Sequence, residues 1–436
     1  MKLKRILIYS IIIAVLLVMI IGFYLGTMQD LGSVSTRLIA IGRWMGIMTT
    51  FAILVELLLM SRWPLIENNF DVQEITSFHR IVGFTILYSF SAHIVFLTIG
   101  YAQQSSSSLI AQFIALNTDF EDVLWALVGS IMFFGIGAIS IKIIRHKLSY
   151  EIWYIVHLAT YLAVALTFLH QINSGSDLVS QQWYRYFWIT LYVVVFGLIG
   201  YYRFLRPVLY LVRYDLKVAG VYLESPDVYS MYITGKNITA FKYHAGQYAT
   251  WRFLTPYYWK EAHPFSLSSA PGSDYLRLTF KTSSGDFSQK LVGVPTGTRV
   301  LLDGPRGAFT SNRIQTNNVL LVAGGIGLAP IMSLLPSLAK QYTVTILLST
   351  RLATEQSFHK EILKIISMYP NVAFLPHVSS TQGHISYLQL HYSIADLPQD
   401  TTVMLCGPTQ MIDDLTNQFL QIGVPKKRII SEQFSF

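Results

Sequence analysis

Long apolar runs fill the first half of the chain and do not recur after Pro207. A helix that crosses a bilayer needs ~20 mostly apolar residues. Six runs reach that length, at residues 6–25, 39–60, 78–99, 123–144, 151–171 and 183–205. The pattern therefore predicts a domain of six transmembrane helices, followed by a half of the chain that folds in water.

The second half has the periodicity of strands and turns. The segments "VYSMYITGK" and "YLRLTFKTSS" alternate apolar and polar positions, which is typical of antiparallel strands with one buried face. Further on, "NNVLLVAGGIGLAPIMSLL" reads as a buried strand, a glycine turn and the start of a helix. These patterns predict a β domain followed by an α/β domain.

Basic residues beside the apolar runs predict the orientation of the helices, because such residues stay on the cytoplasmic side. Neither the loop at 103–122 nor the loop at 172–182 contains Lys or Arg. Both termini and the second half are therefore expected in the cytoplasm. The first run is interpreted as a retained anchor; the alternative is a secretory signal. The flanking basic residues are Lys2, Lys4, Arg5, Arg62, Lys142, Arg145, Lys147, Arg203, Arg206 and Arg213.

Charge and cysteine content narrow the possible partners and carriers. The chain has 32 Lys and Arg against 24 Asp and Glu, a net charge of +8. Much of the excess lies beside the apolar runs, where topology and anionic lipid account for it, so membrane lipid is the expected partner and nucleic acid is not. The single cysteine, Cys406, excludes an intrachain disulfide and a four-cysteine iron–sulfur centre. Any redox chemistry must use other carriers.

Four histidines lie within the predicted membrane helices: His79 and His93 in the third, and His157 and His170 in the fifth. Ionisable residues are costly in lipid and mark function by default. Neutral imidazole is a common axial ligand of haem iron. Because the two helices run in the same direction, His79 faces His157 and His93 faces His170. Fourteen residues at 1.5 Å each separate the two levels by ~21 Å, which suits two haems in a ~30 Å apolar layer.

Two points leave this interpretation open. On an ideal helix, the thirteen-residue step from His157 to His170 turns the second ring ~140° away from the first, so a bend or local unwinding is required. The competing reading is zinc, although the distance prevents all four histidines from binding one ion. A single membrane histidine is also often a neutral ring that only bonds a neighbouring carbonyl.

The histidine spacing in helices three and five, together with "YEIWYIVH" at 150–157, resembles the ferric reductase and NADPH oxidase superfamily. The resemblance implies two b-type haems held by the pairs above. It also implies that Arg43, in the outer part of helix two, is a haem-propionate partner or lies where the outer haem meets its acceptor. The alternative is an interfacial arginine that reaches to lipid headgroups. Animal oxidases of this superfamily carry a further histidine where this chain has Leu97, which leaves the acceptor open.

Three motifs follow in order after the membrane helices: "HAGQYA" at 244, "HPFSLSSAP" at 263 and "FKTSSGDFSQKL" at 280. Together they resemble the FAD-binding barrel of the ferredoxin reductase family. Pro264 and Phe265 would form an apolar wall for the flavin ring, and the Ser266 hydroxyl would reach a flavin nitrogen or carbonyl. Lys281, Gly285 and Ser288 would hold the pyrophosphate. Three further residues are expected to line or brace the pocket: Gln247, Tyr248 and His263.

The glycine turn at Gly324, Gly325 and Gly327 places backbone amides where a dinucleotide pyrophosphate would lie. The turn departs from the G-x-G-x-x-G pattern, and tight packing is the alternative. A second strand, "YTVTILLSTR", ends in hydroxyls and a cation at Thr350 and Arg351, with no acidic residue for a free ribose hydroxyl. That ending favours NADPH over NADH.

The last strand and the end of the chain supply the remaining candidates. "TTVMLCGPTQM" contains Cys406, Gly407 and Pro408, which match the motif that flanks the nicotinamide in the same family; the alternative is a simple buried thiol. The chain ends "SEQFSF". The resemblance implies that Glu432 and Phe434 act at the flavin, the aromatic ring covering it until nicotinamide arrives. Phe436 is the alternative to Phe434, and a frayed tail is the alternative to both.

These assignments predict three domains: a six-span transmembrane di-haem domain at 1–210, a FAD-binding antiparallel β-barrel at 211–311 and an NADPH-binding α/β domain at 312–436, the last two forming a ferredoxin-reductase-like module. The expected protein is a multi-pass NADPH oxidase of the cell membrane, of the bacterial type, that passes electrons through FAD and two haems to dioxygen outside. A ferric or cupric chelate reductase is the runner-up, and a transporter or haem-storage protein with a sensor domain is a third possibility. No obligatory protein partner is evident.

Overall fold

A computed structural model describes residues 2–27, 31–141, 150–284, 286–385 and 400–434. The chain divides into two compact units. A membrane unit contains residues 2–63 and 73–200, and a second unit contains residues 64–72 and 201–436. The segment 64–72, which joins the second and third apolar runs, thus belongs with the second half of the chain.

The described part of the chain holds six helices or helix pairs that are long and apolar enough to cross a membrane, which confirms the six predicted runs. Their bounds differ from those of the predicted runs. The third is a 34-residue helix that begins six residues before the predicted start, and residues 142–144 of the fourth run lie outside the described residues. The helices of the first half are α1 (Lys2–Thr27), α2 (Val34–Leu59), α3 (Pro64–Glu67), α4 (Val72–Ser105), α5 (Leu109–Thr118), α6 (Glu121–Ser140), α7 (Tyr150–Leu158), α8 (Thr160–Asn173), α9 (Ser176–Ser180) and α10 (Gln182–Ile199).

Helices α5 and α9 occupy the two stretches that were expected to be loops. Helix α5 begins at the Ser108 cap, whose hydroxyl accepts the Ala111 amide at 3.2 Å. None of its residues is buried, and Leu109 and Ile110 are exposed. A short apolar helix without Lys, Arg, Asp or Glu suits a membrane surface, where apolar side chains need no protein partner.

The fifth span is broken at Ala159, between its two histidines. The Ala159 amide donates to the Val156 carbonyl, three residues back, so the chain turns more tightly than an α-helix at this point. The Thr160 hydroxyl donates to the His157 carbonyl at 2.6 Å. This break is one departure from an ideal helix of the kind that the thirteen-residue spacing called for, since the tighter turn rotates the chain further per residue.

The first part of the second unit is built from two antiparallel three-stranded sheets. One has the order β1-β2-β5 and the other β4-β3-β6, and bridges such as Leu267 to Leu278 connect them. Trp251, Phe253 and Phe280 are among the large side chains buried between the sheets. The strands are β1 (Lys217–Ser225), β2 (Val228–Thr234), β3 (Tyr248–Phe253), β4 (His263–Ser266), β5 (Leu276–Lys281) and β6 (Val300–Arg306), with α11 (Arg206–Tyr214) before them and α12 (Asp286–Leu291) among them.

The rest of the unit is a parallel five-stranded sheet of order β11-β10-β7-β8-β9. Every residue of β7 after Asn318 is buried, as expected of a central strand covered on both faces by helices. The strands are β7 (Asn318–Gly324), β8 (Thr343–Thr350), β9 (Val372–Val378), β10 (Thr401–Pro408) and β11 (Ile429–Phe434), and the helices are α13 (Leu328–Leu338), α14 (His359–Met368), α15 (Ser379–Gln382) and α16 (Thr409–Gln421).

A buried arginine ties the barrel to the α/β domain. Arg277, on β5, donates to Glu361 on α14 at 2.9 Å, and its guanidinium lies 4.7 Å from the centre of the Phe358 ring. The Ser225 and Ser357 hydroxyls, both buried, are 2.7 Å apart nearby. Because a bidentate ion pair of a buried arginine holds two groups in one geometry, these contacts fix the α/β domain against the barrel.

Candidate functional site

The inner pair of predicted haem ligands meets as expected. His79, on α4, and His157, on α7, have ring centres 5.9 Å apart and ring planes at 75°. When two histidines bind one metal from opposite sides, each metal–nitrogen bond is ~2 Å long and each ring centre lies about 1 Å beyond its nitrogen. The two ring centres are then about 6 Å apart. The Trp153 ring stacks on His157 at 5.0 Å, and the Ser140 hydroxyl lies 3.4 Å from its Nδ1. The geometry therefore fits a metal between the two rings.

The outer predicted ligands lie on the same two spans as the inner ones, His93 on α4 and His170 on α8. His93 Nδ1 lies 2.8 Å from the carbonyl oxygen of Gly42 on α2. If Nδ1 carries the proton and donates to this carbonyl, Nε2 remains free for a metal. Gly42 and Gly46 permit this approach, since a Cβ on Gly46 would lie 2.6 Å from His93 Nδ1.

These donors fit haem better than zinc. Among the described residues, no group of three or more His, Cys, Asp or Glu side chains is placed to hold a metal ion. Zinc takes three or four protein ligands, whereas a haem iron takes four nitrogens from its porphyrin and needs only two axial histidines. Two separate imidazole pairs are what two haems require.

The inner histidine also contacts a carboxylate. Glu56, on α2, touches the Nδ1 atom of His79. Sequence reasoning missed Glu56, although it stands out as an acid in the apolar run "AILVELLLM". An ionisable residue within a membrane helix is the signal that would have found it.

Arg43 is paired at the outer end of the membrane unit. Its Nε donates to Asp177 on α9 at 2.9 Å, and a second guanidinium nitrogen contacts the other carboxylate oxygen. The Thr27 hydroxyl donates to Asp177 at 2.8 Å, and Asp177 is buried. The counter-ion of Arg43 is therefore a carboxylate of the protein itself. Arg43 lies at the level of His93, because it follows Gly42, whose carbonyl contacts the His93 ring. Whether it serves a haem propionate or the acceptor stays a prediction.

The barrel motifs converge on one edge, where β3 pairs with β4. Tyr248 is opposite Ser266, and Thr250 is opposite Pro264. The Ser266 hydroxyl is buried and has no hydrogen-bond partner among the described residues. A buried hydroxyl without a partner costs free energy, so its orientation fits a flavin that supplies the missing bond. Phe265 is the next strand residue and is half-buried.

Other predicted flavin residues brace this edge. Gln247 is buried: its amide nitrogen donates to Asn68 at 2.9 Å, and its carbonyl oxygen accepts the His244 amide. The His263 ring stacks on Phe287 at 3.9 Å. The Ser288 hydroxyl donates to the Thr282 carbonyl at 3.2 Å. Lys281 ends β5, and Gly285 lies outside the described residues.

Two neighbours of the flavin edge were not found in the sequence. The buried Arg306 guanidinium lies 5.6 Å from the Tyr248 ring centre and contacts the Thr250 hydroxyl. The other neighbour is segment 64–72. Its Asn68 accepts the hydrogen bond from Gln247, and its Asp71 forms an ion pair with Arg313 at 2.5 Å. Both are long-range pairings, which no local pattern reports.

The glycine turn lies at the carboxyl end of β7, where α/β domains bind dinucleotides. Gly324 ends the strand, a tight turn covers Gly325–Gly327, and α13 follows. A Cβ at Gly327 would lie 2.1 Å from the Cys406 carbonyl oxygen, so only glycine fits there. Gly325 has a φ of +52° and faces open space. That space is where a pyrophosphate would approach the backbone.

The end of β8 presents Thr350 and Arg351 at the same edge of the sheet. The Thr350 hydroxyl is buried and has no partner among the described residues, and Arg351 is exposed. The Arg351 amide donates to the Glu355 carboxylate at 3.2 Å. This acid lies five residues after the end of the strand and caps the following turn, so NADPH preference stays a prediction.

The remaining candidates lie on the two neighbouring strands β10 and β11. Cys406 pairs with Glu432, and Pro408 pairs with Phe434. Gly407 and Pro408 end β10, and Pro408 is exposed. The structure describes the Phe434 backbone alone, and Phe436 lies outside the described residues.

Cys406 and Glu432 are both held in their neutral forms. Burial, and secondly the Glu432 carboxylate, raises the pKa of the Cys406 thiol well above its usual range. Burial, with a smaller effect from Asp71, raises the pKa of Glu432 to about 8. At neutral pH, Glu432 is therefore a proton donor beside the flavin edge, its side chain facing Gly307.

We expect this carboxyl to make stability depend on pH. Its pKa is 4.5 in an ordinary environment and about 8 in the folded protein. The folded state therefore binds the proton more tightly, and stability is lost as pH rises through this window, at up to ~1.4 kcal/mol per pH unit. Thermal unfolding between pH 5 and 9 measures the slope. Glu432→Gln should flatten the curve, and an equally steep curve in that variant would contradict the assignment.

Comparisons with known proteins agree with this arrangement. Residues 45–168 match the family described as ferric reductase like transmembrane component. Residues 213–310 match the FAD-binding domain family, and residues 321–417 match the oxidoreductase NAD-binding domain family. The three matches follow one another along the chain as a transmembrane component, an FAD-binding domain and an NAD-binding domain. With plant respiratory burst oxidase homologues among its relatives, the chain belongs to the ferric reductase and NADPH oxidase superfamily.

Individual relatives match only part of the chain. Flavohemoprotein A of Dictyostelium discoideum is 31% identical over 183 residues, 39% of this chain and 46% of that protein. Respiratory burst oxidase homolog protein D of Arabidopsis thaliana is 31% identical over 210 residues, 42% of this chain and 22% of that protein. The chain thus spans less than half the length of these two relatives. Among solved structures, the FAD/NAD-binding domain of nitric oxide dioxygenase from Vibrio cholerae is 27% identical with a TM-score of 0.44, covering 50% of this chain and 98% of that one.

Proposed function

We propose that the chain is an NADPH oxidase that takes electrons from cytoplasmic NADPH and delivers them to dioxygen outside the cell, forming superoxide. FAD supplies the conversion of a hydride into single electrons, and two b-type haems carry single electrons across the bilayer. The observation that carries this proposal is the facing pair of His79 and His157, with a second histidine further along each of the same two spans, His93 and His170.

The protein's own residues orient and protect these groups. His79 with His157, and His93 with His170, offer imidazole nitrogens in facing pairs. Ser266 offers its unpartnered hydroxyl to the flavin. Glu432, protonated near neutral pH, holds a proton at the flavin edge. Phe434 is proposed to cover the flavin until nicotinamide displaces it, and Cys406, Gly407 and Pro408 are proposed to flank the nicotinamide.

The proposed layout follows the three predicted domains, with boundaries at 210 and 311. The flavin and nucleotide domains, like both termini, are placed in the cytoplasm because the basic residues that flank the helices lie on that side. The acceptor then meets the outer histidine level, where Arg43 and Asp177 lie.

The pairing of Arg43 favours dioxygen over the runner-up acceptor, a ferric or cupric chelate. Common chelates are anionic, and an anion is attracted by an unpaired cation. Here the Arg43 guanidinium is already neutralised by the buried Asp177 carboxylate. An uncharged acceptor needs no free cation. The respiratory burst oxidase relatives support the same choice.

Oxygen uptake by the purified chain with NADPH and FAD tests the proposal. We expect oxygen consumption together with cytochrome c reduction that superoxide dismutase suppresses. Ferric citrate should add little to the rate. Slow oxygen uptake with rapid turnover only when ferric citrate is present would replace the oxidase by the reductase.

Arg351 should set the preference for NADPH. An arginine at the end of β8 pairs with the 2′-phosphate of NADPH and gains nothing from NADH. Arg351→Ala should therefore lower kcat/KM for NADPH by about tenfold, equivalent to ~1.4 kcal/mol, and leave NADH unaffected. Initial rates with both nucleotides measure this. Equal losses for NADPH and NADH would show that Arg351 does not read the phosphate.

A further inference from the structure

We propose that Glu56 is a positioning residue that lowers the reduction potential of the inner haem below that of the outer haem, so that electrons move outward. The inference rests on the proposed function, because it assumes a haem at each histidine level. It concerns the hydrogen-bond partners that helix α2 gives to the two histidines of α4.

The inner partner is a carboxylate. Glu56 contacts His79 Nδ1, and its side chain is only 14% exposed. Among the described residues, neither carboxylate oxygen nor His79 Nδ1 has a hydrogen-bond partner of ordinary geometry, so the contact between them is the one that can satisfy both groups. A carboxylate in an apolar helix is costly to bury unless a donor compensates it. The imidazole N–H of His79 is therefore the donor that compensates the buried Glu56 carboxylate.

The outer partner is a neutral carbonyl. His93 Nδ1 lies 2.8 Å from the Gly42 oxygen. Fourteen residues separate Gly42 from Glu56 on α2, and fourteen separate His79 from His93 on α4. Since the two helices are antiparallel and in contact, one face of α2 supplies both partners in register, an anion at one level and a carbonyl at the other.

The difference in charge has a direct effect on iron. A carboxylate that accepts the Nδ1 proton makes the imidazole more electron-rich and its other nitrogen a stronger ligand. A stronger, more anionic ligand stabilises ferric over ferrous iron, which lowers the potential. A carbonyl acceptor has a weaker effect, because it has no charge. One electron then passes from the inner ferrous iron to the outer ferric iron, with no bond or proton changing place.

The test is an anaerobic spectroelectrochemical titration of the full chain in lipid nanodiscs, with Glu56→Gln and a matched control. Glu56→Gln keeps the shape and removes the charge. We expect the lower of the two midpoint potentials to rise and the higher to stay. A tenfold loss in the equilibrium constant between the haems would correspond to 59 mV for one electron. Glu56→Asp, which keeps the charge, should retain most of the gap.

The control is Thr49→Val. The Thr49 hydroxyl donates to Ser89 at 2.8 Å between the same two helices, at a position between the two levels. Its loss should leave both midpoints in place. The Glu56→Gln titration is then repeated in a His93→Ala background, which keeps only the inner haem. A shift of the remaining midpoint potential in that background shows that the shifted transition belongs to the inner haem.

Each outcome decides the inference. Unchanged midpoints in Glu56→Gln with both haems bound would overturn it, as would a shift of the higher wave. Loss of the inner haem in both Glu56→Gln and Glu56→Asp, with Thr49→Val intact, would make Glu56 a purely structural residue and also overturn it. A parent protein without two haem waves would instead refute the proposed function.

Discussion

His93→Ala is expected to stop electron delivery to dioxygen while leaving the cytoplasmic half reaction intact. The variant removes one axial ligand of the outer haem, so haem content should fall from two to one per chain. The oxidase rate should fall by more than ~100-fold, since even loss of a hydrogen-bond partner to a metal-bound histidine commonly costs 10–100-fold. Flavin reduction by NADPH should continue, because that step uses residues of the other unit.

Pyridine haemochromogen spectra and stopped-flow flavin absorbance measure the two effects separately. The matched control is Ser91→Ala on the same helix, whose hydroxyl donates to the Leu87 carbonyl of its own helix turn. It should keep both haems and the full rate. Two haems per chain in His93→Ala would show that His93 is not a ligand.

Gly327→Val is expected to have the largest effect on the cytoplasmic half. A Cβ at this position would lie 2.1 Å from the Cys406 carbonyl oxygen, far inside any van der Waals contact. The turn must then move away from β10, which costs ~1–3 kcal/mol or more and displaces the amides that would face the pyrophosphate. We expect flavin reduction by NADPH to fall by at least about tenfold, with two haems still bound.

The control for this prediction is Gly293→Ala, where a Cβ would lie 3.8 Å from the Lys290 carbonyl oxygen, an ordinary van der Waals contact. Dithionite reduction of the haems should be normal in both variants. A Gly327→Val protein with an unchanged KM for NADPH and an unchanged rate of flavin reduction would show that the turn does not form the nucleotide site.

Local patterns were sufficient for the elements and for the histidine levels. Six apolar runs became six candidate spans because length and hydropathy are properties of contiguous residues. The thirteen-residue spacing of His157 and His170 called for a bend, a change of winding or a different approach of the second ring, and the helix does end at Leu158 and restart at Thr160. The continuous apolar run at β7 likewise became a central buried strand.

Partners that come from distant parts of the chain were beyond local reasoning. Asp177 meets Arg43 across 134 positions, and Arg313 meets Asp71 across 242. The inclusion of segment 64–72 in the second unit is of the same kind. Such pairs depend on how helices and domains pack, which periodicity does not encode.

Some of these partners nevertheless left a trace in the sequence. Glu56 interrupts an apolar run, and Gly42 and Gly46 lie four residues apart in a membrane helix, where small residues permit close helix contact. Their meaning became clear only beside His79 and His93. The short apolar helix α5 was missed because a ten-residue apolar stretch is too short to span a membrane and gives no strong signal of its own.

The central claim is that two bis-histidine haems in the membrane unit are reduced by NADPH through the flavin. An anaerobic optical spectrum of the purified full chain, recorded before and after NADPH, tests it most directly. The account predicts two low-spin b-type haems per chain, both reduced by NADPH with FAD present. Fewer than two haems per chain, or haems that dithionite reduces and NADPH does not, would contradict it.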